Sequence, residues 1–541
     1  MKVIRHFAVA WIASQALLAA CSSLAAEPVV NAWSEFRNGG SSVVQGALPK
    51  EWTAQKITWQ HELIGYGQST PIIHNDRILV TSVEGPMKDE CVVSCFDLKS
   101  GRELWVFRNA ASVKGASNYM ASRAAPTPVV DARGVYAFFE SGDCFAIDHS
   151  GKPIWHRNLT ADYGKFDNNH GLGASPTQTD DSVIINVEHK GPSYLIALNK
   201  VSGETSWKTD RNSASSWSSP IVVRSEGKPQ IVVSSGGTVD GYDIATGKSL
   251  WSIGGLDGNS VPSPTAAGNS LFVGARVPEF GEDGEAAKSN LCIALNETGT
   301  SKSPSVAWRA SKAISDYASP VVCNDCVYYL NKVGVLYCLR SSTGEPLYTE
   351  RLGTQCWATP IVTGDYIYFF GKDGKTQVVR SGPKFDLVSS NLLWDSDNVP
   401  KPESYVENNS AGQGEGGPRG EGGPRGEGGP RGEGGPRGGP GGAGGRGPGG
   451  GMLAALTKAD ANADGVLHAD EIPADFKPML ARIDTNKDGS LDQAEIKAMA
   501  ESFAARRTDS RDTARDPIVY GAAAVDGAIV IRTGTRLYCI Q

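Results

Sequence analysis

One short pattern returns along most of this chain and restricts its fold more than any other feature. A Ser/Thr-Pro step stands at Thr70-Pro71, Thr127-Pro128, Ser175-Pro176, Ser219-Pro220, Ser263-Pro264, Ser319-Pro320 and Thr359-Pro360, at spacings of 40 to 57 residues. A short β-rich run follows each step, for instance Ile221-Val222-Val223, and then a second such as Val183-Ile184-Ile185 or Val327-Tyr328-Tyr329. A third run ends in Asp or Asn, passes through a turn with Gly and reaches a large aromatic. Asp97 to Gly101 leads to Trp105, Asp148 to Gly151 to Trp155, Asn199 to Gly203 to Trp207, and Asp243 to Gly247 to Trp251, with Trp308, Tyr348 and Trp394 closing the looser copies. Each unit therefore predicts four short antiparallel strands, one blade of a β-propeller. Gly permits the tight turn before the fourth strand, and the aromatic gives the blade a flat surface to bury against its neighbour.

Seven steps predict seven blades, and an eighth is recovered near the C-terminus. There Gly521-Ala522-Ala523-Ala524 replaces the Ser-Pro step, Ala528 to Ile531 supplies a second strand and Leu537 to Ile540 a third. The missing fourth strand is expected at the other end, where Ile57-Thr58-Trp59-Gln60-His61 resembles a fourth strand without the first three. Pairing the two closes the ring and removes both exposed edges. The expected fold class is all-β: an eight-bladed β-propeller with N/C-terminal strand closure.

The Trp-bearing repeat resembles the PQQ-like propeller family, which includes quinoprotein dehydrogenases and lipoprotein subunits of outer-membrane protein assembly. Phe36-Arg37-Asn38-Gly39-Gly40, Leu48-Pro49-Lys50-Glu51-Trp52 and Gly65-Tyr66-Gly67-Gln68-Ser69-Thr70-Pro71 also resemble exported PQQ-like propellers common in Planctomycetes. The resemblance spans about residues 33–398 and 516–541. It implies the fold more strongly than an activity, since one fold hosts many functions.

More than 160 residues separate Pro360 from Ala522, so an insertion precedes the last blade. Residues 399–451 read as a flexible, charge-balanced linker with four copies of Glu-Gly-Gly-Pro-Arg-Gly. Gly at every third position from Gly414 formally matches the collagen rule, but many intervening positions are also Gly. Residues 452–503 carry two twelve-residue EF-hand loops. Asp460, Asn462, Asp464, the Val466 carbonyl and Glu471 form the first ligand set; Asp484, Asn486, Asp488, the Ser490 carbonyl and Glu495 form the second. This spacing offers hard oxygens to two calcium ions, with Gly465 and Gly489 for the sharp turn and Leu467 and Leu491 placed to pair the loops. Pro473 and Pro478 shorten the helices between them, which favours a calcium-stapled α-helical pair over a sensor that opens.

Lys2 and Arg5 before the apolar run Phe7 to Ala20 predict an export signal over residues 1–26. Leu18-Ala19-Ala20-Cys21 resembles a lipobox that would anchor the chain through Cys21, whereas Ser23-Leu24-Ala25 fits plain cleavage before Ala26. The expected location is the periplasm or cell envelope, with membrane contact only through that lipid. The other nine cysteines read as packing residues: Cys95, Cys338 and Cys539 share one repeat position, Cys144 and Cys292 another, and Cys323 and Cys326 flank a turn where a local disulfide is an open alternative.

A net charge of −7 gives no electrostatic reason to expect nucleic acid. Neither G-x-S-x-G nor metal-ligand spacing among the eight histidines appears. The chain also lacks the adjacent cysteine pair that many PQQ alcohol dehydrogenases carry. The favoured expectation is therefore a non-enzymatic binding or scaffold module for an envelope protein or peptide. A PQQ-dependent dehydrogenase and an outer-membrane protein assembly factor stand as the alternatives. Three residues before the recurring Pro, Gln68, Trp217, Tyr317 and Trp357 are candidate contacts around one mouth of the channel, with core packing beneath loops as the competing account.

Overall fold

The computed structural model describes residues 32–115, 121–168, 170–212, 214–225, 228–277, 283–295, 304–400 and 517–541. Within the insertion it describes 466–468, 471, 488–492 and 495. The strands of these residues form eight antiparallel sheets, one per blade: 72–110, 129–158, 177–211, 221–253, 265–309, 321–351, 361–392, and 519–540 completed by Trp59–Glu62. The closing strand pairs in register, Trp59 with Cys539, Gln60 with Tyr538, His61 with Leu537 and Glu62 with Arg536. Gly65 to Thr70 then fastens blade 8 to blade 1. Tyr66 exchanges backbone hydrogen bonds with Val83 and its hydroxyl lies 2.7 Å from that of Tyr520. Gly67 is required there, because a Cβ would fall 2.1 Å from the Arg532 guanidinium and 2.3 Å from the Thr81 carbonyl.

The outer strands explain the aromatic repeat. In blades 1 to 7 the pairing of the third and fourth strands slips by one residue, leaving Leu104, Ile154, Ser206, Leu250, Ala307, Leu347 and Val388 unpaired. Such a bulge turns the strand and re-aims the next side chain. That side chain is Trp105, Trp155, Trp207, Trp251, Trp308 or Tyr348, and it pairs with a small residue: Cys95, Ala146, Ala197, Gly241, Cys292 or Cys338. Most of the indoles reach the following blade. The Nε1 atoms of Trp59, Trp105, Trp155, Trp207 and Trp308 donate to the carbonyls of Leu98, His149, Lys200, Ile244 and Ser341 at 2.9–3.2 Å. Trp251 instead donates to Gln230 Oε1 of its own blade.

Two expectations about this register need correction. Cys292 pairs with Trp308 and so belongs with Cys95, whereas Cys144 pairs with Arg157, two positions away. In blade 7 the register position is Ser389, which donates to the Lys50 carbonyl. Trp394 lies past the strand end and packs near Gly374 and Tyr538. All nine described cysteines are buried with free thiols, Cys323 and Cys326 included.

The inner strands are linked by side chains. The backbone N–H of Thr70 donates to Thr127 Oγ1, Thr127 to Ser175, Ser175 to Ser219, Ser219 to Ser263, Ser263 to Ser319 and Ser319 to Thr359, at 2.9–3.1 Å. From Thr127 to Thr359, the hydroxyl of each Ser/Thr-Pro step thus satisfies a backbone donor of the preceding blade. Blade 8 breaks the relay, with Gly521 lying against Thr70 Cγ2 where a side chain would collide.

Candidate functional site: the two ends of the channel

Residues 32–48 lie across the channel end to which the inner strands run, and they reach every blade. Ala32 and Trp33 pair with His74 and Ile73; the Ser34 carbonyl accepts from Val130; Glu35 accepts from Thr177 at 2.9 Å. Gly40 abuts Ile221, Val43 bridges to Val362, and Ala47 is held by Asp526 and Gly527. Arg37 supplies blades 5 and 6. Its guanidinium donates to the carbonyls of Pro264 (2.9 Å), Ser263 (3.3 Å), Pro320 (3.5 Å) and Gly40 (2.7 Å), and to the hydroxyls of Ser42 and Thr265. The four residues Arg37 to Gly40 all have positive φ, a conformation disfavoured for Arg and natural for the two glycines. Burial pushes the Arg37 guanidinium down to about 9 and the Glu35 carboxyl up to about 7. The sequence flagged Phe36 to Gly40 only as a resemblance, because its partners are scattered over three separate repeats.

The opposite end carries the loops that connect each outer strand to the next inner strand, and the candidate contacts stand on them. Gln68 is used structurally: its N–H donates to the Arg123 carbonyl and its Oε1 accepts from Arg123 N–H at 2.9 Å. The Arg123 guanidinium lies 3.9 Å from the Tyr66 ring centre, a cation–π contact. Trp217 is partly buried over Gly173 and donates to the Gly171 carbonyl at 2.9 Å, with His170 tilted against it. Tyr317 and Trp357 come together, their rings 5.0 Å apart and tilted by 40°, and Lys372 Nζ stands 4.9 Å from the Trp357 ring. Beside them Val333, Gln355, Lys372, Asp373 and Pro517 line an open depression of about 400 Å³. The structure thus groups Tyr317 with Trp357 and separates Gln68 and Trp217 from them. Lys372 was missed because it sits on a hairpin outside the repeat motif.

In the insertion, Asp460, Asn462, Asp464, Asp484 and Asn486 lie outside the described residues, as do the signal, Cys21 and the glycine-rich tract. Leu467 and Leu491 are both buried and exchange backbone hydrogen bonds at 2.9 Å in each direction. Gly489 has φ +83°, Asp488 accepts from the Ser490 N–H, and Glu471 and Glu495 accept from the N–H groups of His468 and Asp492. Elsewhere, no cluster of three or more His, Cys, Asp or Glu among the described residues could hold a metal ion.

Comparison with known proteins follows the same lines. A family model described as outer membrane protein assembly factor BamB matches residues 51–169 and 165–276. The chain carries a PQQ-like repeat propeller. A curated relative of this family, the outer membrane protein assembly factor BamB of Burkholderia pseudomallei, is 26% identical over 222 residues, covering 40% of this chain and 53% of the relative. The chain thus spans about half the length of that relative. Among solved structures, BamB from Moraxella catarrhalis aligns with a TM-score of 0.45 and 16% identity over 62% of this chain and 91% of its own. Quinohemoprotein alcohol dehydrogenase from Comamonas testosteroni aligns at 0.38 and 13% over 64% and 76%.

Proposed function

We propose that this PQQ-like propeller is an exported, non-enzymatic scaffold of the cell envelope that takes part in outer-membrane protein assembly, with a calcium-stapled EF-hand pair in its insertion. The observation that carries the reading is the unequal treatment of the two channel ends. One is fastened shut by residues 32–48, while the other presents Tyr317, Trp357 and Lys372 beside an open depression. Aromatic side chains flanked by a cation suit a protein partner better than a reacting substrate. The family match to an assembly factor supplies the partner class. The mutual bonds of Leu467 and Leu491 support paired calcium loops, and the Lys2-to-Ala20 pattern supports export.

The test is site-specific photo-crosslinking in envelope preparations. A crosslinker at position 357 should capture a component of the outer-membrane protein assembly apparatus, and one at exposed Val201 on the outer rim should not. Loss of the gene should lower outer-membrane protein levels, and Trp357→Ala should reproduce the loss at unchanged protein abundance. Normal outer-membrane protein levels in the deletion would overturn the reading.

A further inference from the structure

A second cavity opens on the same face between blades 1 and 2, and nothing above assigns it. It encloses about 210 Å³, more than the roughly 150 Å³ that accommodates benzene in an engineered protein cavity. Val83, Ala111, Phe139, Phe166 and Leu172 provide its apolar wall, and Lys88, Lys114, Glu140 and Asn168 its polar one.

The hydrogen-bonding capacity of that polar wall is lopsided. The Glu140 oxygens both accept from the Ala124 N–H, and one also pairs with Lys88 at 3.2 Å. At the rim, Asp89 accepts from Lys114 and from the Met87 N–H. Both carboxylates are thus engaged. The donors are in surplus: Lys88 adds to its Glu140 pair one hydrogen bond, to the Ser122 carbonyl, leaving an ammonium N–H over. Lys114 uses one N–H of three on Asp89. Asn168 accepts the His170 N–H through Oδ1, while its Nδ2, shielded from solvent, has no partner. A buried donor without a partner carries a cost that a bound acceptor removes.

The geometry points to a binding site for a small apolar carboxylate, its aryl or branched-alkyl body against Phe139 and Phe166 and its carboxylate received by Asn168 Nδ2 and the two lysines. Either a free organic acid or the C-terminal residue of a peptide presents this chemistry. The site stands apart from the Tyr317–Trp357 pair, on the other side of the ring.

Calorimetric titration of the full-length chain tests it with four probes: 3-phenylpropionate, its amide, Gly-Gly-Phe acid and Gly-Gly-Phe amide. At least one acid should saturate below about 10 mM, and its amide should bind at least tenfold more weakly. A tighter peptide assigns the site to chain termini, and a tighter free acid to small acids. Asn168→Asp keeps the acceptor for His170 but replaces the free donor with a charge, and should weaken acid binding at least tenfold. Ala111→Leu should fill the cavity and abolish binding with an unchanged circular dichroism melt, whereas Trp357→Ala should leave binding intact. Equal affinity for acid and amide, no heat from either acid, or binding that survives both cavity variants would overturn the assignment.

Discussion

At the scale of single residues, Arg37 and Glu35 do opposite electrostatic work a few atoms apart. Arg37 has no carboxylate partner among its hydrogen bonds; carbonyls and hydroxyls from three segments take its place. Arg37→Met should therefore strand several buried carbonyls and cost about 3–4 kcal/mol in chemical denaturation. Arg37→Lys should rescue little, since an ammonium cannot span those acceptors. Glu35 carries a pH signature. Its carboxyl is raised by burial from 4.5 to about 7, against the lowering contributions of Thr177 and Lys200. Folding therefore favours the protonated form: the stability it allows is fully present below about pH 4.5 and is lost as pH rises through 7. Glu35→Gln should match the parent near pH 4 and exceed it by about 1–3 kcal/mol at pH 8. Urea midpoints across that range provide the check, and a parent that is the more stable at pH 8 would contradict the assignment.

At the scale of the element, the blade works because bulge, indole, small partner and turn glycine fit together. Gly101 and Gly268 isolate one part of that fit. Both have positive φ, but a Cβ at Gly101 would fall 2.5 Å from the Trp59 ring, while nothing lies within 4 Å at Gly268. Gly268→Ala should thus report the backbone cost alone, about 1 kcal/mol, and Gly101→Ala about 2 kcal/mol more by pushing Trp59 off the closing joint. Equal melting temperatures for the two variants would show that Trp59 contributes nothing to closure. This level of the fold was the most legible in the sequence, because Pro, Gly and Trp repeat at fixed positions and each has a local reason to do so. The exceptions are physical. Trp394 lay at a plausible distance yet outside the register, since Ser389 occupies the position and residues 50–52 cover it. The Ser/Thr hydroxyls were visible, but their acceptor role needs the neighbouring blade. Residues 32–48 and the interblade cavity repeat nothing, so only the assembled ring reveals them.

At the scale of the molecule, the insertion and the closing joint make separable contributions. Removing 401–516 and joining its ends should leave the propeller's melting temperature within a few degrees, because the paired strands of all eight blades lie outside it. Removing 57–62 exposes the edge of Arg536–Ile540 and should abolish cooperative unfolding. For the insertion, calorimetry on the full chain should show two calcium ions bound, with Kd values of about 10⁻⁴–10⁻³ M, and none after Glu471→Ala with Glu495→Ala. The closing joint also sets a clock. Trp59–Glu62 is synthesised long before its partner Arg536–Ile540. At roughly 5–20 residues per second, the early strand waits ~25–100 s for its mate, and the insertion supplies more than a fifth of that delay. For all that time the nascent protein presents an unsatisfied β-edge at that strand, so anything that shields such edges during biogenesis should govern its yield more than its final stability does.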